Sequence, residues 1–310
     1  MGAAMTAYLI ATLCVVVMAT MAGLALNLQW GVGGLVNFGL FGFYMLGAYI
    51  AALMTVAGTP PIVSMVVAMI GTAVISALVS LISIRLSEDY LAIVTLGFAE
   101  CVRLLISYED WLTMGTLGIS GISRPFASVV PQAWADITFL ALSGLSLGAV
   151  YLVLTLLAKS PFGRLMRATR DDPDIVSSLG HSVLSIRVRI FALGGVVLGL
   201  AGSLHSFYYS YIDPTQFSAI ITAYAFMAVV VGGRGSNIGV LAAAIVLISL
   251  LEGSRFLVDL VPGLDGSTLA SLRLIFVGVA LVAILVLKPQ GFGREKPTFV
   301  ASAALKSGAN

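Results

Sequence analysis

Side chains able to do chemistry are scarce in this 310-residue chain, so their places carry information. Glu100 and Arg103 stand three residues apart inside an otherwise apolar run, the spacing at which neighbours on one helix form an ion pair. A carboxylate facing lipid there would cost about 3 kcal/mol or more. Glu100 is therefore expected to face the interior, and a structural pair and a contact to a transported solute both remain open. Glu252 and Arg255 repeat the spacing near a span end and read as structural. Of the two histidines, His181 lies in a polar stretch and His205 in an apolar one; each, standing alone, reads as a hydrogen-bonded neighbour rather than a metal ligand or proton carrier. Cys14 and Cys101 fall in apolar runs and read as small core residues. The chain holds no G-x-x-x-x-G-K-[ST] phosphate loop and no H-E-x-x-H. An intramembrane enzyme is disfavoured, and any energy source is expected to lie outside this chain.

The elements that must position these groups follow from composition. With 59% hydrophobic and only 10% charged residues and a mean hydropathy of +1.07, a soluble globular enzyme is excluded. A net charge of +2 gives no reason to expect a nucleic-acid partner. Apolar runs at 5–26, 33–56, 62–84, 89–107, 133–158, 188–211, 218–232, 238–258 and 270–287 predict nine membrane spans, with eight to ten allowed because 89–107 and 218–232 could be broken or partial helices. The fold class is thus an all-α polytopic transmembrane helix bundle, a single domain over 1–310, in contact with a lipid bilayer. Glycines cluster at 31–47, 194–202 and 232–239, which predicts close backbone approach and kinks, since small residues let helices pack in lipid.

Orientation follows from the basic residues. Residues 159–189 hold Lys159, Arg164, Arg167, Arg170, Arg187 and Arg189, and the tail 288–310 adds Lys288, Arg294, Lys296 and Lys306. The positive-inside rule puts both in the cytoplasm, with the N-terminus outside. Arg85 and Arg234 then fall inside, and the loops bearing Glu109, Asp110, Asp136, Asp213, Asp259 and Asp265 outside. Trp30, Trp111 and Trp134 fall at span ends.

The loop 159–187 is the richest segment. Ser160-Pro161 is an N-cap and N1 pair that opens a short helix. Phe162, Leu165, Met166 and Thr169 share one face of it while Arg164, Arg167 and Arg170 project elsewhere. Asp172-Pro173 opens a second helix, closed by Gly180 as a left-handed residue. An amphipathic hairpin lying on anionic headgroups would explain the arginines but not Asp171, Asp172 and Asp174; a docking surface for another protein fits both signs of charge.

Ser160-Pro161-Phe162-Gly163-Arg164, Arg167-Ala168, Arg170-Asp171-Asp172 and Leu179-Gly180 together resemble the cytoplasmic loop of the permease subunits of branched-chain amino acid ABC importers. The stretches 90–100, Gly118 to Ile122, Val230 to Ser236 and Lys288 to Gly291 resemble the M-type member of the two paralogous membrane subunits, while Val36 to Gly39 and Tyr44 to Gly47 are more similar to the H-type. The resemblance covers about 27–292. It implies a bacterial inner-membrane subunit that pairs with its paralogue, receives cargo from an extracytoplasmic binding protein and is driven by two cytoplasmic ABC ATPases. ATP would be used by those partners, and no cofactor is expected on this chain. Asp174 to Gly180 is similar in spacing to the E-A-A-x-x-x-G docking loop, which implies an ATPase-coupling role for 160–180. Asn37, Glu100, Arg103, Gly232 and Gly233 are the candidates for the translocation pathway. The implied cargo is leucine, isoleucine or valine, with urea or short-chain amides as an alternative. An ion-coupled secondary transporter using Glu100 is the competing class.

Overall fold

The computed structural model describes residues 2–82, 88–127, 130–131 and 134–258, with 275, 278–279 and 292–293 beyond them. Most of the ninth expected span and of the tail, with Arg85, Asp259 and Asp265, lie outside the described residues, as do the side chains of Glu252 and Arg255. The other eight apolar runs are all helices: α1 (Gly2–Leu26), α2 (Leu40–Val56), α3 (Pro61–Ile82), α4 (Glu88–Tyr108), α6 (Ala135–Lys159), α9 (Val183–Tyr209), α10 (Ala219–Gly232) and α11 (Asn237–Val258). Three short helices join them: α5 (Asp110–Thr113), α7 (Pro161–Asp171) and α8 (Pro173–Ser178). Among the described residues, six segments are long and apolar enough to cross a membrane, and Leu40–Val56 and Asn237–Leu251 are shorter apolar helices. The chain is an all-α polytopic membrane bundle.

Glycines set its centre. On α9, Gly195 backs onto Thr72 and Ser76 of α3, and Gly199 lies against Ala68 and Met69 of α3 on one side and Gly47 of α2 on the other. A Cβ on Gly47 would stand 2.6 Å from the Gly199 Cα, and one on Gly199 would stand 2.7 Å from the Ala68 carbonyl oxygen. No side chain fits at such distances, so α9 runs between α2 and α3 at the close approach that small residues permit in place of a hydrophobic drive.

The interruption lies at the first glycine cluster, where kinks are expected, and not at 89–107, which the apolar pattern leaves open as a broken helix. Helix α4 is continuous, and it is the stretch 33–56 that is broken. Helix α1 widens into a π-helical turn at Asn27–Val32, residues 33–39 are non-helical, and α2 starts only at Leu40. Such unwound backbone is tolerated at membrane depth where protein surrounds it. Here Phe38 N–H donates to the Thr95 hydroxyl (3.1 Å) and Phe41 N–H to the Thr222 hydroxyl (3.1 Å).

The helical hairpin α7–α8 forms an elbow at one end of the bundle. At the far end a two-residue antiparallel ladder, Ile119–Ser120 (β1) with Tyr211–Ile212 (β2), ties the loop after α5 to the loop after α9. The core expectation holds for Cys14, which is buried, and fails for Cys101, which is exposed. Helix α4 turns Leu91, Ala92, Thr95, Ala99 and Ile106 inward and leaves Ile93, Leu104 and Leu105 outside, and Cys101 belongs to that outer face.

Candidate functional site

The elbow forms as its caps dictate. Ser160 Oγ accepts from Gly163 N–H (3.2 Å), Pro161 occupies N1, and Asp172 Oδ1 accepts from Asp174 N–H (2.9 Å) and Ile175 N–H (3.1 Å). Gly180 follows α8 at φ +82°. Met166, Thr169 and Val176 are buried, Phe162 and Leu165 are half-buried, and Arg164, Asp171 and Asp174 are exposed. Gly163 is the tight point, because a Cβ there would collide with the carbonyl oxygens of Leu157 and Ala158 at the end of α6. The face turned away from the bundle therefore carries both signs of charge on two short rigid helices.

The arginines are less uniform than their spacing implies. Arg167 Nη1 donates to the Ala158 carbonyl (3.0 Å) and locks α7 onto α6. Arg170 Nε donates to Asp171 (3.0 Å), while its Nη1 reaches across the chain to the carbonyl of Gly31 (2.6 Å) in the π-helical turn. Gly34, at φ +71°, makes room for it: a Cβ there would stand 2.5 Å from Arg170 Cγ.

That turn is the edge of a buried amide junction. Asn27 Nδ2 donates to Asn237 Oδ1 (2.8 Å) and its Oδ1 accepts from Gly235 N–H (2.9 Å). Gln29 Nε2 donates to the Phe191 carbonyl (3.4 Å) and its Oε1 accepts from Asn37 Nδ2 (2.9 Å). Asn27, Gln29 and Asn37 are all fully buried, and Asn37 Oδ1 has no hydrogen-bond partner. The turn after α10 completes the junction. Gly233 and Gly235 take φ of +92° and +81°, a region costly for other residues, and Phe292 and Gly293 donate to the carbonyls of Val231 and Gly232 (both 2.9 Å). Arg234 lies over the Trp30 ring, 4.3 Å from its centroid, a cation–π contact.

The structure thus brings Arg170, Asn37, Gly232 and Gly233 to one connected region. Glu100 and Arg103 are elsewhere: they pair on α4, Nε to Oε2 at 2.8 Å and Nη2 to Oε2 at 2.7 Å, with the carboxylate side chain 39% exposed. The interior placement expected of Glu100 does not hold within this chain, because α4 packs on α2 through its alanine and threonine side. Asn27, Gln29 and Asn237 were missed; two amides two residues apart at the end of an apolar run were the available signal. His205 is the hydrogen-bonded neighbour expected, between Tyr44 Oη (3.2 Å at Nδ1) and Gln216 Oε1 (3.2 Å at Nε2). At the far end Asp213 caps a turn. Although burial opposes it, hydrogen bonds from Thr215 and Gln216 hold its carboxyl below the usual range.

A many-span bundle with an interrupted helix and a charged, capped elbow is an architecture that membrane transport proteins use. Residues 8–285 match the family described as branched-chain amino acid transport system, permease component, and the chain belongs to it. It is 32% identical over 292 residues to the high-affinity branched-chain amino acid transport system permease protein LivM of Escherichia coli (87% of this chain, 66% of that protein). It is 30% identical over 290 residues to the probable LivM of Methanocaldococcus jannaschii (86% and 82%) and 26% identical over 223 residues to the probable LivH of the same organism (68% and 68%). The chain spans just under two thirds of the length of the Escherichia coli relative. No solved structure matches.

Proposed function

We propose that this chain is one of two membrane subunits of an ATP-driven importer that carries branched-chain or other hydrophobic amino acids across the inner membrane by alternating access. A paralogous permease completes the pathway, an extracytoplasmic binding protein delivers cargo at the far end, and two ABC ATPases, which hold and hydrolyse the ATP, grip the elbow. The elbow and C-terminus are then cytoplasmic and the N-terminus external.

The observation that carries this reading is the 2.6 Å bond from Arg170 to the Gly31 carbonyl. Displacement of α7 by a partner would move the π-helical turn directly, and through Asn27 the ends of α10 and α11. A rigid, doubly capped lever joined to an interrupted span suits conversion of a motor stroke into a gate movement. The likeness to branched-chain amino acid permeases supports the cargo class; the mixed charge of Arg164, Asp171 and Asp174 supports the docking face.

The test is uptake into vesicles holding this chain with its paralogue, ATPases and binding protein. Leucine, isoleucine or valine should enter only with hydrolysable ATP and should ignore a proton ionophore. Uptake of urea or amides instead would correct the cargo. Uptake without the ATPases that an ionophore abolishes would replace the reading with a secondary transporter built on Glu100.

A further inference from the structure

Above the amide junction, toward the far end, the bundle encloses a cavity of about 460 Å³, within the range of small-molecule pockets. Helices α1, α2, α9, α10 and α11 all contribute to its wall, and none of the described residues lining it is charged. Its surface has two parts. One is aliphatic, broadened by alanines such as Ala19, Ala225 and Ala244 and bounded by Met18, Leu247 and Ile248. The other is polar: Tyr44, His205, Tyr209, Tyr224 and Gln216.

The polar part is ordered by its hydrogen bonds. Gln216 donates through Nε2 to Asp213 Oδ2 (2.8 Å), which turns its Oε1 toward His205. His205 Nε2 must then be the donor and Nδ1 the acceptor from the Tyr44 hydroxyl. A neutral imidazole satisfies this chain. Tyr209 lines the cavity and is 47% exposed, so the cavity meets the surface at the end of α9. On the elbow side it is closed by a seam where Gly23 meets Ala228 and Val240; a Cβ on Gly23 would be 3.5 Å from each. Beneath that seam lie Asn27, Asn237 and Gly235, and beyond them Arg170.

We propose that this cavity holds the aliphatic side chain of the transported amino acid within this single subunit, on the outer side of a gate formed by the Gly23–Ala228–Val240 seam. The proposal rests on the importer reading above. With no charge among the described residues of the wall, burying an ammonium and a carboxylate would cost far more than it gains, so the zwitterionic head stays at the polar, water-facing end by Tyr209 and Gln216. The aliphatic body enters the alanine-lined part. Such a site selects for hydrocarbon and binds weakly, which lets a cargo delivered at the far end move on. An acyl chain of a bilayer lipid would match the aliphatic wall, but it would leave the partly buried Tyr44–His205–Gln216 relay without a purpose, and intramembrane polar groups are costly to keep.

The experiment uses the complete reconstituted complex and a leucine analogue carrying a photoreactive diazirine on its side chain. The label should fall on α1, α10 and α11 near Met18, Tyr224 and Ile248, and excess leucine should displace it. Ala225→Leu, which fills the cavity, should lower leucine uptake at least tenfold more than alanine uptake in a complex that still assembles. Should that variant fail to assemble, Ala244→Gly enlarges the site and should shift preference toward methionine and phenylalanine. Label placed elsewhere, unchanged preference in the enlarged variant, or equal losses for both cargoes in the filled one would overturn the assignment and leave the importer reading standing. A phospholipid with a diazirine acyl chain that labels the same residues and is not displaced by leucine would make this a lipid site and overturn it too. A wild-type complex that takes up no aliphatic amino acid would instead bring down the importer reading, and this proposal with it.

Discussion

The elbow and the amide junction are one hydrogen bond apart, yet they are built by opposite means. The elbow is local: its caps act over two or three residues, from Ser160 to Gly163 and from Asp172 to Ile175, and it would form wherever the chain placed it. The junction is assembled from afar. Asn27 bonds to residues 208 and 210 positions away, and Gln29 to one 162 away. A locally determined element can be moved as a body without losing its structure; a junction of long-range amide bonds has alternatives among which motion can switch it. The first suits a lever and the second a gate.

The largest expected effect separates sterics from conformation within the elbow. Gly163→Leu would drive a side chain into the carbonyls of Leu157 and Ala158, so α7 must leave its seat on α6. Uptake should fall more than tenfold while membrane insertion, read by protease protection, persists. Gly180→Ala meets nothing within 4 Å and bears only its φ of +82°, about 1 to 2 kcal/mol, so uptake should change less than threefold. Equal losses in the two variants would erase the distinction between a seated and a merely capped glycine.

Next comes the bond that joins the two regions. Arg170→Gln cannot span to Gly31 with the same reach, and Arg170→Lys replaces a planar fork by a point charge. Both should cut uptake by roughly tenfold, and by more than they cut ATP hydrolysis, because the proposed docking face of Arg164, Asp171 and Asp174 is left intact. A parallel loss of uptake and hydrolysis would mean that Arg170 serves docking and that lever and gate are not connected through it.

What was legible in the sequence tracks the same division. The caps at Ser160 and Asp172, the left-handed Gly180 and the buried stripe of α7 could be read because each depends on neighbours within one or two turns. Eight helices could be read because apolar runs of membrane length have few other outcomes. Arg170 was recognised as basic, but its spacing could not reveal that it turns inward to Gly31, 139 residues away. Asn27 and Gln29 carry no such local signal, because Asn237, Gly235 and Phe191 come to them from distant segments. The break at 33–39 sat inside an apolar run whose glycines were visible, while hydropathy alone cannot tell an unwound apolar segment from a wound one. Glu100 was expected inside on the cost of its charge, but Arg103 satisfies that charge on the surface of α4 instead.

Within the junction, two asparagines test how much each long-range bond contributes. Asn27→Ala removes two satisfied buried bonds and should lower stability by about 1 to 3 kcal/mol, seen as a lower detergent-solubilised Tm. Asn37→Ala removes one bond, which leaves the buried Gln29 Oε1 without its donor, together with one carbonyl oxygen that has no partner, so its cost should be smaller, about 1 kcal/mol. If Asn37 proves the more damaging of the two in stability, the junction is centred on the broken span rather than on the turn after α10. If Asn37→Ala impairs uptake more than Asn27→Ala while costing less stability, the unpartnered oxygen has a role in transport that the folded chain alone does not explain.

The smallest effect lies at the far end, where a third region follows the local logic of the elbow. Asp213 is held below the ordinary carboxylate range by hydrogen bonds from Thr215 and Gln216 that outweigh its partial burial. A depressed carboxylate contributes stability above its unfolded value, near about 3.9, and loses that contribution as pH falls through its folded value. Stability should therefore be flat in this respect from neutrality to about pH 5 and should decline below about pH 4. Asp213→Asn should flatten that acid limb while barely moving the neutral Tm. Because Gln216 donates to Asp213 and accepts from His205, the same variant should also loosen the orientation of Gln216. A pH profile unchanged in Asp213→Asn would show that the acid limb belongs to other groups.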